Sequence, residues 1–366
     1  MSKSAENNWS PFAMARRLVS AAHSLARLRR IYQALQRVSQ QRHRSPPAGP
    51  TRPSRQPPQP PRHLSRCAAA PPGVVGVYCC NDNIVLFRST QVRYRSRERW
   101  KMTRNIRVGQ QNVRTSFRAG DPARPPLVIA NGIGASLELL EPFVDEVHPD
   151  IGVVRFDVPG VGGSPLPARP YRFAGLVRLL DRVLDQLGCD RVDMLGISWG
   201  GGLAQQFALY KPRRCRRLVL ANTATGSLMV PAGPRILKNM ATPRRYRDPG
   251  YAVQIAANVY GGRLREDPEL AHELLHKHLR LGPSRGYAYQ LLAGLGWTSL
   301  PILPMIRQQT LILAGSDDPI IPLVNARIMQ RLLPHAELLI YDDGHLGLLT
   351  HAPELGRAVT DFLSRA

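Results

Sequence analysis

The sequence predicts an α/β protein: a mostly parallel sheet flanked by helices, with a long helical lid insertion late in the chain. Three observations carry this expectation. From about Ile106 onward, short apolar runs alternate with amphipathic stretches, the texture of βα units on a parallel sheet. At positions 196–200 the pentapeptide Gly-Ile-Ser-Trp-Gly lies between an apolar run and a helix-like one, where a strand would turn sharply into a helix. Between 225 and 308 the alternation stops, and helix-rich sequence fills the interval before the next apolar run.

Taken in order, a basic extension comes first. Residues 1–101 hold 19 lysines and arginines against 3 acids, in a chain of 366 residues with 50 against 26 and a net charge of +24. The basicity therefore belongs mainly to this part and says little about what the remainder binds. Residues 15–38 space Leu18, Ala22, Leu25, Leu28, Tyr32 and Leu35 helically among arginines. That pattern suits a surface-lying helix, a transit peptide, or a basic segment with no stable fold. Residues 45–72 are proline-rich and read as an extended linker. An arginine cluster follows at 91–101, but no nucleic-acid module surrounds it, so no nucleic-acid partner is expected. The expected organisation is a disordered extension over 1–101 and a folded domain over 102–366, with the lid at about 225–308. Met102 stands just ahead of the first sheet pattern and is a candidate natural start, which would leave 1–101 outside the native protein.

Six strands are expected, at 127–130, 153–156, 191–195, 217–220, 310–313 and 337–341, with helices between them. No apolar run approaches the ~18 residues of a membrane span, and the N-terminus lacks the apolar core of a secretory signal. Cys67, Cys79, Cys80, Cys189 and Cys215 form neither a disulfide framework nor a metal-ligand spacing. A cytoplasmic chain without a transmembrane segment is the expectation.

Chemistry concentrates on Ser198. In a strand-to-helix turn the flanking positions must be glycine, because side chains there would strike the adjoining backbone. A serine hydroxyl needs a base to take its proton, and this turn predicts a carboxylate and a histidine downstream in that order. The apolar run 311–315 ends at Gly315, and Asp318 follows three residues later, ahead of Pro319. Asp317 is the alternative acid, equally readable as a helix cap. After the next run, Gly344 frees a loop that presents His345; His335 and His351 read as surface or capping residues. Backbone N–H groups of Ile133, after the 127–130 run, and Trp199 would converge on a developing oxyanion.

Two other motifs lead elsewhere. His272, Glu273 and His276 match H-E-x-x-H, but a third zinc ligand is missing, so no metal is expected. Gly160 and Gly162 follow a strand, yet Pro165 and Pro167 break the helix that a dinucleotide site requires.

Four segments occur in order: NGIGAS (131–136), FDVPGVGGS (156–164), GISWGG (196–201) and LAGLGWTS (292–299). Together they resemble the intracellular poly(3-hydroxyalkanoate) depolymerases, medium-chain-length type, of the α/β-hydrolase superfamily, over about 106–363. The resemblance implies an α/β-hydrolase fold and a serine esterase that cuts a polyester to 3-hydroxy acids through an acyl-enzyme. It gives Ser198, Asp318 and His345 the triad places, requires no cofactor, and implies a hydrophobic polyester granule as partner. Asn131 stands where many superfamily members carry histidine. Related polyester synthases carry cysteine as nucleophile, so Ser198 favours hydrolysis. Trp297 is the candidate substrate-binding residue of the insertion. The competing readings are another α/β-hydrolase, such as a lipase, small-ester esterase or C–C hydrolase, and a non-catalytic granule-binding protein.

Overall fold

In the computed structural model, residues 74–80, 83–88, 103–241, 249–267, 269–270, 272–274 and 284–365 are described. The chain divides into two units, 1–90 and 91–366. In the first, β1 (Val74–Cys80) pairs antiparallel with β2 (Asn83–Arg88). The helical pattern at 15–38, the proline-rich stretch and the arginine cluster at 91–101 lie outside the described residues.

The second unit is built on eight strands. They are β3 (Thr103–Val108), β4 (Gln111–Arg118), β5 (Leu127–Ala130), β6 (Val153–Phe156), β7 (Val192–Ile197), β8 (Cys215–Ala221), β9 (Gln309–Gly315) and β10 (Ala336–Tyr341). Their order is β10-β9-β8-β7-β5-β6-β4-β3. The pairs from β6 to β10 are parallel, whereas β4 joins β6 and β3 antiparallel. All six expected strands are present, some up to three residues longer. The β3–β4 hairpin was not among them, because β3 buries only Ile106 and alternates it with charged residues.

Helices cover both faces, as parallel strands with no exposed face require. Successive strand residues point to opposite sides. Val128 and Ala130 of β5 join Met194, Leu218 and Ile312 in a core under α2 (Phe173–Gln186) and α3 (Trp199–Tyr210). Leu127 and Ile129 join Leu195, Val219 and Leu311 in a second core under α1 (Glu141–Glu146) and a C-terminal helix, Ala352–Ser364. In α2 the buried residues Phe173, Leu176, Val177, Leu180, Val183 and Leu184 recur at steps of three and four, the stripe that faces a sheet.

The insertion between β8 and β9 forms a cap. Its described helices are α4 (Pro234–Ala241), α5 (Pro249–Tyr260), α6 (Arg263–Glu266) and α7 (Ser284–Gly294). The Arg172 guanidinium donates to the carbonyls of Leu292 and Leu295, at 2.8 and 2.9 Å, and holds the end of α7 to the start of α2. Cys189 and Cys215 are buried free thiols. Among the described residues no helix is long and apolar enough to cross a membrane.

Candidate active site

Ser198 is the single residue between the end of β7 and the start of α3, with φ 52° and ψ −120°. A non-glycine residue held there costs about 1–3 kcal/mol, so the surroundings must enforce it. They do so by close approach. A Cβ on Gly196 would lie 2.5 Å from the Gly200 carbonyl oxygen, and one on Gly200 would run into the Ala130 carbonyl. The Ser198 carbonyl accepts the Thr223 hydroxyl at 2.6 Å and the Gly201 N–H at 2.9 Å. The tight turn thus follows from the glycines that the pentapeptide supplies.

The loops after β9 and β10 bring the other two side chains to it. His345 Nε2 lies 3.0 Å from Ser198 Oγ, and His345 Nδ1 lies 2.7 Å from Asp318 Oδ2. Both His345 and Asp318 are buried. The second Asp318 oxygen, Oδ1, accepts the N–H groups of Ile320 and Ile321, each at 2.9 Å. One carboxylate is therefore filled on both sides, which fixes its plane against the imidazole. Because Nδ1 faces an acceptor, it carries the proton, and Nε2 is left as an acceptor toward the serine.

The neighbouring candidates lie elsewhere. Asp317 accepts the Gly262 N–H at 2.8 Å and pairs with Arg265 at 2.9 Å, with its side chain 44% exposed. It ties the cap to the acid loop rather than touching His345. His335 precedes β10, where its carbonyl accepts the Thr310 N–H. His351 Nδ1 meets Asp343 Oδ2 at 2.7 Å, a second Asp–His pair apart from the one that meets Ser198. Burial alone would raise the Asp343 pKa. Bonds from the Thr350 hydroxyl, the Gly344 and Arg263 N–H groups and His351 outweigh it and hold the carboxyl below its ordinary range. The pair braces the loop that carries His345. His272 and Glu273 of the H-E-x-x-H motif are exposed, and His276 lies outside the described residues. Among the described residues no three metal-ligating side chains cluster.

Two positioning features were not visible from the sequence. Asn222 follows β8 in a left-handed conformation, φ 44°, and is buried. Its Nδ2 donates to the carbonyls of Gly344 and His345 at 3.1 and 2.8 Å, and its Oδ1 accepts the Gly315 N–H and the Tyr341 hydroxyl. One amide thus joins the ends of β8, β9 and β10 beneath the imidazole. The cap provides the other contact. Tyr260 accepts the His345 N–H at 2.7 Å, and Gly261 and Gly262, both at positive φ, let the chain pass against Asp317 and Asp343 where a Cβ would collide. The only local signals were an asparagine after an apolar run and a glycine pair after a helix.

The loop after β5 lies against the serine, since a Cβ on Gly132 would stand 3.6 Å from Ser198 Cβ. Asn131 closes this loop by donating Nδ2 to the Ser136 carbonyl at 2.7 Å. Among the described residues the N–H groups of Ile133 and Trp199 have no hydrogen-bond partner. The FDVPGVGGS segment supports the loop from behind. Buried Asp157 accepts the N–H groups of Leu137 and Gly163, at 2.7 and 2.8 Å, and the Arg114 guanidinium at 3.1 Å.

Ser198 opens on an apolar cleft lined by Phe173, Trp199, Thr223, Met229, Trp297 and Ile321 among others. Trp297 is half-buried in its wall, donates Nε1–H to Gln206 at 2.7 Å, and packs edge-on against Phe173 at 4.8 Å. Leu291, Leu292 and Leu295 stand exposed along the end of α7, next to cleft-lining Gly294. Such an arrangement can attack an acyl group with a serine and bind an apolar chain beside it.

Comparison with known proteins agrees with this architecture. Residues 125–352 match the alpha/beta hydrolase fold family. A poly(3-hydroxyalkanoate) depolymerase of Ectopseudomonas oleovorans is 51% identical over 262 residues, covering 72% of this chain and 92% of the relative. A hydrolase from Pseudomonas aeruginosa superposes with a TM-score of 0.61 at 25% identity, over 72% of this chain and 99% of that one. An enol-lactonase from Burkholderia xenovorans shares the fold with a TM-score of 0.61 at 21% identity, over 72% and 100%. The chain belongs to the α/β-hydrolase fold family, in the branch that holds the Ectopseudomonas oleovorans poly(3-hydroxyalkanoate) depolymerase.

Proposed function

We propose that this chain is a serine esterase that cleaves poly(3-hydroxyalkanoate) polyester to 3-hydroxy acids. The observation that carries the reading is an aligned Ser198–His345–Asp318 relay opening on an apolar cleft, in a chain 51% identical over 262 residues to a depolymerase of that polymer. Ser198 Oγ attacks the ester carbonyl while His345 Nε2 takes its proton. Asp318 keeps the proton on Nδ1 and stabilises the imidazolium that forms. The N–H groups of Ile133 and Trp199 hold the oxyanion of the tetrahedral intermediate. His345 returns its proton to the leaving alkoxide, the hydroxyl end of the departing chain, and the acyl-enzyme remains. Water, deprotonated by the same imidazole, then attacks the acyl carbonyl, and Ser198 leaves with its proton restored. The steps call on no metal or organic cofactor.

Exposed Leu291, Leu292 and Leu295 beside the cleft support contact with an apolar polymer surface, and hence a place on polyester granules. The scattered cysteines suit the reducing cytoplasm in which such granules would be met. The test is hydrolysis of short-chain and medium-chain polyester suspensions, beside soluble p-nitrophenyl esters, by the parent and by Ser198→Ala. Release of 3-hydroxy acids by the parent, cut roughly 10⁴-fold in Ser198→Ala, is the expected result. Hydrolysis of soluble esters alone would replace the polyester with a small ester as substrate. Turnover by Ser198→Ala near the parental rate would remove the nucleophile assignment.

A further inference from the structure

Gln290 belongs to the cap helix α7 and is fully buried. Its side-chain Oε1 accepts the Gly134 N–H at 2.8 Å, and its main-chain carbonyl accepts the Trp199 Nε1–H at 2.8 Å. Gly134 follows Ile133, and Trp199 follows Ser198. A single cap residue is therefore bonded to both segments that carry the proposed oxyanion donors. We propose that Gln290 is the positioning residue of the oxyanion hole, holding its two halves in register from the cap. The inference rests on the serine-esterase reading above.

The chemistry of the amide supports this role. A main-chain N–H can only donate, so the amide oxygen must face Gly134 and Nε2 must face away. Among the described residues that Nε2 has no partner. A fully buried donor left without a partner carries a desolvation penalty, which methionine or leucine would avoid in the same volume. Packing alone does not account for glutamine here; the contact made by its oxygen does. That contact fixes the peptide unit between Ile133 and Gly134, which only the φ and ψ of Ile133 separate from the Ile133 N–H. The second contact holds the Trp199 indole, which also packs on Phe173 at 4.9 Å and lines the cleft. The end of the same helix is pinned by Arg172, so Gln290 projects from a fixed support. Oxyanion donors act over a narrow range of distance, and a displacement of about 1 Å costs on the order of 100-fold in rate.

Gln290→Met removes the amide, keeps the length and volume of the side chain, and leaves the main-chain contact to Trp199 intact. The expected result is a fall of about 10- to 100-fold in kcat on a p-nitrophenyl ester, with KM within about 2-fold and cooperative unfolding retained, the melting temperature moving by only a few degrees because the lost Gly134 bond is partly offset by removal of the unpartnered amide N–H. Affinity for an alkyl trifluoromethyl ketone, which forms an oxyanion-bearing adduct on the serine, should fall by the same factor. The pH–rate profile should keep its parental inflection, since Gln290 touches no member of the relay; a loosened site would shift it as well. Should Gln290→Met not unfold cooperatively, Gln290→Ala carries the same measurements. Parental ketone affinity in a folded variant would overturn the positioning role. Failure of the parent itself to bind the ketone would instead overturn the serine-esterase reading beneath it.

Discussion

Asparagine in place of Asp318 tests the relay at its least exposed joint, and the structure sets the size of the effect. Asp318 Oδ1 receives two main-chain N–H groups and Oδ2 faces His345 Nδ1. An amide has one oxygen and one NH2, so it cannot serve both sides. If its oxygen stays with Ile320 and Ile321, its NH2 confronts Nδ1 and forces the imidazole proton onto Nε2. The imidazole then donates to Ser198 and cannot accept from it. If the amide flips, the tautomer is kept, but two buried N–H groups lose their acceptor, at about 1–3 kcal/mol each. The first arrangement wins on that balance, and kcat on a p-nitrophenyl ester should fall by roughly 10²- to 10⁴-fold with little change in KM. Asp317→Asn is the control. Its amide oxygen can still accept from Gly262, and the exposed pair with Arg265 is worth about 0–1 kcal/mol, so activity should stay within a few-fold. Steady-state kinetics of both variants at one pH decide the matter. The reverse ranking would assign the acid to Asp317 and refute the tautomer argument.

Trp297→Ala should lower hydrolysis of a polyester suspension more than hydrolysis of a p-nitrophenyl ester, because it opens the cleft wall that grips an apolar chain; equal losses would mark Trp297 as a packing residue alone. Removal of residues 1–101 should leave soluble-ester turnover and cooperative unfolding near full-length values, since every residue assigned to chemistry lies beyond position 130; a truncated chain that fails to fold would contradict this. Stability should depend on pH through Glu138. Burial alone would raise its pKa, but Arg114 at 2.5 Å offsets that and holds it at about 2, against 4.5 unperturbed. A depressed folded-state value means that the contribution is complete above about pH 4.5 and fades as pH falls toward 2, by at most about 3 kcal/mol. Melting curves of the parent and Glu138→Gln should therefore converge over that interval, and a gap independent of pH would refute the assignment.

The parts of this molecule that could be read from its sequence are those whose signal is local. Parallel strands buried on both faces leave continuous apolar runs, and the runs around Val128, Val154, Met194, Val219 and Ile312 became such strands, as the run around Leu338 became the half-buried edge strand. β4 escaped notice because Arg118 and Thr115 occupy buried places in it. The Arg118 guanidinium donates there to the carbonyls of Val144, Val147, His148 and Ile151, which no pattern of apolar spacing anticipates. In the same way Ser198, Asp318 and His345 could be singled out because each follows a strand run and has glycine or proline within two residues. Asn222 and Gln290 could not. The partners of their side chains lie far along the chain and are mostly main-chain groups, and a hydrogen bond to a backbone atom leaves no trace in the identity of the residue that provides it.

The geometry also explains why the distant contacts fall where they do. Ser198 and Asn222 are the non-glycine residues at positive φ among those described, and they follow the ends of adjacent strands, β7 and β8. Each is strained by about 1–3 kcal/mol, and each is held by contacts that would be lost if it relaxed. Ser198 is enclosed by glycines that let two backbones meet, while Asn222 spends all four of its amide bonds on the strand ends beside it. Relaxing Asn222 would release the His345 loop, and relaxing Ser198 would turn Oγ away from Nε2. The cap adds its ties at the same end of the strands, through Tyr260 to His345 and through Gln290 to Gly134 and Trp199. In the proposed mechanism, a nucleophile strained toward its base, and a base loop tied by a second strained residue, need little rearrangement as charge develops, which is the condition under which preorganised donors lower a barrier most.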